Sequence, residues 1–247
     1  FLNHNYPYLL SIMEKQDKGK FKSLFISALA GTLAMPSMAG CQEKASQNEH
    51  PNFLFILVDD LGYKDLGCYG SSFYETPHVD ELAAAGVKFT DAYAAAPVSS
   101  PTRSSIMTGK YPARTDNTDW FGAPQPENAA GHWVGDHPML PAPYLEHMEL
   151  EEVTIAEALK EGGYRTFFAG KWHLGHTEKY WPLQQGFEIN KGGWSKGRPH
   201  RQNGANGYFS PYGIPTLKDG PKGEHLPNRL AEETIRFIDQ QGDQPFL

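Results

Sequence analysis

Three short polar clusters in this chain carry groups that could hold a cation, bind an anion and move a proton. The first is Asp59-Asp60. Adjacent carboxylates repel one another unless a cation or donors compensate, and a hard divalent cation such as calcium takes oxygen ligands of this kind; the plainer alternative is a pair of solvated turn aspartates. The second is Ser99-Ser100-Pro101-Thr102-Arg103. It reads as a hydroxyl at the positive end of a helix with a guanidinium one turn onward, and both features favour an anion; alternatively Ser100 simply caps a helix that Pro101 begins. The third is Lys171-Trp172-His173. Residues two apart in an extended segment point to one side, so Lys171 and His173 together offer a fixed positive charge and a proton-transfer group, or else ordinary surface polarity.

These clusters need elements to bring them together. Phe53 to Val58 is a continuous apolar run, as expected for a strand buried on both faces, and it stops at Asp59. Thr76-Pro77 opens a helix whose apolar face is Val79, Leu82 and Ala83 and whose stop is Gly86. Val87 to Tyr93 reads as a second strand, and Ser100-Pro101 starts a helix ending at Gly109. Thr154 and Glu157 form a capping-box pair before Ile155, Ala158 and Leu159, and Gly162-Gly163 ends that helix. Tyr164 to Ala169 is a strand, Arg229 to Gln240 a helix, and Pro245 to Leu247 the start of another strand. Strands alternating with helices predict an α/β fold, with a central, mostly parallel sheet flanked by helices. In such sheets ligands gather beyond the carboxyl ends of the strands. All three polar clusters follow apolar, strand-like runs, so their distance in sequence is no obstacle to meeting in space.

Composition narrows the classes. At 247 residues, 39% hydrophobic and 21% charged, the chain falls in the ordinary globular range. A formal charge of -7 argues against nucleic acid, where Lys and Arg must neutralise phosphates. Of the two cysteines, Cys41 lies in a processing signal and Cys68 is expected to be a small buried hydrophobe. No cysteine cluster with histidine suggests zinc.

The first fifty residues read as an address. Residues 1–12 precede a start methionine, Met13, and are read as a non-native upstream extension. Lys15, Lys18, Lys20 and Lys22 make a basic region, and an apolar stretch from Leu24 to Ala34 leads to Ala39-Gly40-Cys41. This resembles the lipobox of bacterial lipoproteins, with a signal peptide over 13–40 and lipidation at Cys41; a simple secretory signal is the alternative. The stretch is short for a membrane span, which needs about 20 residues. Residues 41–50 then form a tether, and the expected place is outside the cytoplasm, as a cell-envelope lipoprotein held to a membrane by its lipid.

Ser99-x-Pro101-x-Arg103, followed by Met107-Thr108-Gly109-Lys110-Tyr111-Pro112, resembles the signature of the formylglycine-dependent type I sulfatases of the alkaline phosphatase superfamily, in which Cys or Ser holds the first position. Val58-Asp59-Asp60-Leu61-Gly62 and Gly170-Lys171-Trp172-His173-Leu174-Gly175 are similar to two further motifs of that family, in the same order. The resemblance covers roughly Pro51 to Gly186 and makes 51–247 the N-terminal part of a catalytic domain, an incomplete alkaline phosphatase-like α/β domain. It implies that Ser99 is oxidised to formylglycine by a radical-type, oxygen-independent maturation enzyme. It implies Ca²⁺ at Asp59, Asp60 and the modified Ser99, with Arg103 holding the formylglycine. Lys171 would bind sulfate oxygens, and His173 would share in proton transfers. A geminal diol has a second hydroxyl that can expel sulfate where a serine could not, which rationalises the conversion.

The family's further metal ligands, an Asp with an Asn or His, and another His and Lys would lie past Leu247. The chain as written is therefore expected to be inactive alone. The expected substrates are sulfated carbohydrates or aryl sulfates. Thr115 to Glu149, with Asp119, Trp120, His132, Trp133, Asp136 and His137, and the loop from Lys191 to His225 are candidate pocket walls. The rival readings are a phosphodiesterase or phosphonate monoester hydrolase of the same superfamily, and an inactive glycan-binding lipoprotein.

Overall fold

The computed structural model describes residues 50–132, 139–201 and 203–247. The signal, Cys41 and the tether fall outside them, as do Trp133, Asp136 and His137. The helices are α1 (Pro77–Ala85), α2 (Ser99–Thr108), α3 (Pro112–Thr115), α4 (Ala129–His132), α5 (Ile155–Glu161) and α6 (Leu226–Asp239), and the strands, which lie between α5 and α6, are β1 (Phe167–Ala169) and β2 (Ile189–Lys191). None of the described helices is long and apolar enough to cross a membrane.

The sheet is parallel. β1 pairs with β2 in the register Phe167 to Ile189 and Ala169 to Lys191. On its other side the same segment runs parallel to the end of the chain. Arg165 N–H donates to the Pro245 carbonyl, Leu247 N–H to Arg165 and Phe167 N–H to Leu247, each at 2.9 Å. Phe53 N–H extends the pairing by donating to the Phe246 carbonyl at 2.8 Å. The expected strand at 164–169 is present over its last three residues, while 245–247 pairs through an isolated bridge rather than as a full strand, and the fold is α/β. β2 carries no clear sequence signal.

Two expected strands do not form. Phe53 to Val58 takes no regular structure and is 41–60% exposed, and Val87 and Phe89 are 81% and 68% exposed. A strand exists only where neighbours supply partners for its N–H and C=O groups. Among the described residues only Phe53 of the first run finds such a partner.

The helices follow their local chemistry. Pro77 opens α1, but Thr76 serves more than its own helix: its Oγ1 accepts the Gly67 N–H at 2.8 Å and donates to Asp80 Oδ1 at 3.0 Å. Asp80 Oδ1 also takes the Cys68 N–H, so α1 holds the 67–69 turn, and Cys68 is half-buried rather than fully buried. Val79 and Leu82 remain exposed, unlike the expected apolar face. α5 begins with the expected reciprocal cap, Thr154 N–H to Glu157 Oε2 at 2.8 Å and Glu157 N–H to Thr154 Oγ1 at 3.1 Å. Ala156 is its buried residue, whereas Ile155 and Ala158 face out. α6 starts at Leu226, earlier than expected, with Pro227 in its first turn. Its Phe237 stacks on Phe167 at 4.7 Å and meets Phe246 edge-on, so α6 covers the sheet.

One hydrophobic cluster is built from Phe121, Tyr144, Met148, Ala156, Trp172 and Phe187. A second, of Tyr212, Ile214, Leu217 and Leu226, takes Trp194 and Leu230 against it.

The cap of α5 is a tie as well as a start signal, because Thr154 Oγ1 also donates to the Gln185 carbonyl at 2.8 Å. Thr154→Ala removes both bonds and is expected to cost about 1–2 kcal/mol. Gly186 next to it has φ 92, and a Cβ there would lie 2.4 Å from Glu157 N. Gly186→Ala is expected to cost more than Thr154→Ala, since it adds a left-handed conformation to a steric conflict. Urea unfolding midpoints of both variants check the order; equal stabilities would contradict it.

Candidate active site

α2 is placed so that its first turn faces a cleft and its buried side faces the core. Ser100, Pro101, Arg103 and Ser104 are buried, and Gly109 ends the helix at φ 68, a left-handed position suited to glycine. Val98 is the residue before the helix and Ser100 lies inside it, so Ser100 is not the cap that one sequence reading allowed. Its Oγ instead accepts the Phe121 N–H at 3.1 Å and lies 3.4 Å from His173 Nδ1. Ser104 Oγ donates to Asn117 Oδ1 at 2.8 Å. Asn117 in turn donates to the carbonyls of Leu145 and His147. That segment then receives the motif after β1: Met148 N–H donates to the Leu174 carbonyl at 3.2 Å, and His147 bridges Gly175. A buried polar chain therefore fixes α2 against the residues around His173.

Within that motif Trp172 is the anchor. It is 1% exposed, packs edge-on against Phe168 and Phe187, and donates from Nε1 to the Tyr180 carbonyl at 2.8 Å. Its neighbours Lys171 and His173 both line the cleft, although His173 reaches it through φ 58 rather than through a plain extended backbone. Asp60 is also left-handed, at φ 57. Such conformations in residues other than glycine are uncommon and gather at functional sites.

The three clusters converge. Ser99 Oγ lies 3.2 Å from His173 Nδ1 across 74 residues of sequence. Lys171 Nζ donates to Asp59 Oδ2 at 2.6 Å, and Arg103 pairs with Asp59 Oδ1 at 3.4 Å. Arg103 also donates to the Lys171 carbonyl at 2.5 Å, tying α2 to the third motif. Asp59, Asp60, Ser99, Lys171 and His173 line one cleft of about 940 Å³; Arg103 stands behind them, 9% exposed.

The electrostatics follow from burial and neighbours. Burial works to raise the Asp59 pKa, but the Lys171 ammonium and the Arg103 guanidinium outweigh it and hold the carboxyl below its ordinary range. Burial pulls the Arg103 guanidinium down and Asp59 opposes it. Burial, followed by the Lys171 charge, pushes His173 down to about 4, so its imidazole is neutral at pH 7 and able to accept a proton.

Asp59 and Asp60 are oxygen donors of the kind a hard cation takes. Among the described residues no third His, Cys, Asp or Glu joins them in a metal-holding group, while calcium takes about 6–8 oxygens. The pair suits calcium in kind and would form part of a shell.

Other walls of the cleft come from the two segments expected to supply them. Trp120 contributes from the first, while Asp119 turns its carboxylate to the Trp120 N–H. Trp194, Lys196, Gly197, Arg198, His200 and Tyr208 contribute from the second. Ser100 and Gly197 are the residues whose part in the site the sequence reading missed; the sole signal for Gly197 was a glycine set between two cations.

Comparison with known proteins agrees with the geometry. The chain is 36% identical over 230 residues to N-acetylgalactosamine-6-sulfatase of Canis lupus familiaris, covering 82% of this chain and 39% of that protein. It is 38% identical over 143 residues to N-acetylgalactosamine-6-O-sulfatase of Bacteroides thetaiotaomicron, covering 56% of this chain and 24% of that one. The chain thus spans well under half the length of these curated relatives. Among solved structures, i-CgsB bound to a neocarrahexaose superimposes with a TM-score of 0.58 at 28% identity, over 80% of this chain and 44% of that one. The PsFucS1 sulfatase of Pseudoalteromonas sp. does so with a TM-score of 0.54 at 26% identity, over 81% and 43%. The family model described as Sulfatase matches residues 51–247, and with the three motifs gathered in one cleft, this chain belongs to the sulfatase family.

Proposed function

We propose that the protein hydrolyses sulfate esters of glycans, with an oxidised Ser99 as nucleophile. The observation that carries this reading is the cleft that Ser99, His173, Lys171 and the two aspartates share. The identity to glycan sulfatases supports the class of substrate.

In this reading the Ser99 hydroxyl stands where an oxygen of the formylglycine hydrate would be. Formylglycine would supply a nucleophilic hydroxyl together with a second one to release the sulfate. Calcium, held by Asp59 and Asp60 with the modified Ser99, would polarise sulfate oxygens. The residues of this chain would supply part of the rest. His173, neutral and 3.2 Å from Ser99 Oγ, takes the proton of the attacking hydroxyl. Lys171 presents its ammonium to the anionic ester. Arg103, bonded to the Lys171 carbonyl and paired with Asp59, holds both in place.

The reading extends to how the protein is made. Ser99 would be oxidised by a radical-type maturation enzyme, and Cys41, outside the described residues, would carry the lipid that tethers an exported protein to the cell envelope.

Oxidation of a serine side chain to an aldehyde removes two hydrogens. Mass spectrometry of the tryptic peptide from Phe89 to Arg103, isolated from the native host, is expected to show that loss at Ser99, with capture by a hydrazide. An unmodified Ser99, where the maturation enzyme is active, would remove the nucleophile and favour a binding protein.

In the protein from the same host, Lys171→Ala and His173→Ala are each expected to lower kcat/KM for sulfate release by about 10²-fold or more. Wild-type hydrolysis of an aryl phosphodiester or an aryl phosphonate monoester in preference to the matching aryl sulfate would replace the sulfatase reading with that of a phosphodiesterase or phosphonate monoester hydrolase.

A further inference from the structure

The segment after β2 comes close to the reacting groups. His173 N–H donates to the Trp194 carbonyl at 3.2 Å. Gly197 lies against the His173 ring: a Cβ built on it would fall 2.7 Å from Cε1 and 2.8 Å from Nδ1. No side chain fits there, so glycine is required for close approach. The same Nδ1 is 3.2 Å from Ser99 Oγ. Trp194, packed on the second hydrophobic cluster, anchors the segment from behind.

Gly197 is flanked by Lys196 and Arg198. Both are exposed and both line the cleft. Consecutive Cα atoms are about 3.8 Å apart, so these two cations are seated on either side of the residue that touches His173. Neither has a carboxylate partner among the described residues. The two aspartates that line the same cleft act elsewhere, since Asp59 is taken by Lys171 and Arg103, and Asp60 acts on Arg103. In a chain of net charge -7, two cations beside the reaction centre with no carboxylate partner among the described residues are a local inversion of charge. Lys171 already answers the reacting sulfate, which leaves Lys196 and Arg198 without a role in that step.

Resting on the sulfatase reading above, we propose that Lys196 and Arg198 bind a second anionic group of the substrate, a sulfate or a carboxylate, beside the sulfate that is removed. The preferred substrate is then a glycan carrying two neighbouring anions. Arg198 can meet either group with a planar fork, and Lys196 adds a mobile point charge.

The test uses three oligosaccharides of one backbone: one bearing a single sulfate, one bearing two, and one bearing a sulfate and a uronate carboxylate. For the protein from its native host, kcat/KM is expected to favour at least one of the two dianions over the monosulfate. In the Lys196→Ala/Arg198→Ala double variant that preference should fall about tenfold or more, with Arg198→Lys between the two. Whichever dianion is preferred identifies the second group. A double variant that keeps the wild-type preference, or a wild type that favours the monosulfate, overturns the proposal. Should the wild type release sulfate from none of the three, the sulfatase reading has failed instead. Calorimetric binding of the same sugars to Ser99→Ala protein, with and without the double substitution, then decides the anion subsite by itself.

Discussion

The site depends on one carboxylate. Asp59 accepts Lys171 on one oxygen and Arg103 on the other, joining the end of the first apolar run, the second turn of α2 and the segment after β1. These pieces lie up to 112 residues apart in sequence. Without Asp59, two cations would meet at the Arg103–Lys171 carbonyl bond with only the charge of Asp60, acting on Arg103, to offset their repulsion. The pairing is partly solvated, so its value lies in register more than in stability. It sets where α2 stands, and α2 sets where Ser99 meets His173. The cost is that Asp59 is a shared group: any cation it binds must compete with, or sit beside, the ammonium it already holds.

A second layer of positioning is neutral and buried. Ser104, Asn117 and the carbonyls of Leu145 and His147 form a chain of hydrogen bonds that ends on the backbone beside His173. Buried polar chains of this kind are effective only when each member is satisfied. Here the Asn117 amide uses its oxygen and its nitrogen at once, and Asn117 is fully buried. The charged bridge and the neutral chain both end on the same motif, whose Trp172 is buried in the core.

Much of this was legible in the residues themselves. Carboxylates after an apolar run, a serine at a helix start and a Lys-x-His after a strand are local patterns, and each ended in the cleft. Thr154 with Glu157, and Gly109 at a left-handed stop, announce helix ends because capping is a matter of neighbours in sequence. What was not legible is long-range. Ser100 looks like a cap from its neighbours alone, yet its hydroxyl serves Phe121 and His173. Gly197 is a glycine because of a ring 24 positions earlier, which no local pattern encodes. The left-handed turn at His173 is not announced locally either, since histidine, though enriched in such backbone relative to most residues, adopts it in only a small fraction of cases. Phe53 to Val58 misled for the same reason: composition states what a segment would bury, while only its neighbours decide whether it is buried.

That bare run has a consequence for handling the molecule. Six successive apolar residues, Phe-Leu-Phe-Ile-Leu-Val, take no regular structure, with nearly all of their backbone donors and acceptors unmatched by the described residues. They carry no charge and no proline, the composition of a sticky edge. Exposed as it is among the described residues, the run would present an adhesive ribbon to other copies of the molecule. Self-association through it would grow with concentration, independently of whether the cleft a few residues away is correctly formed.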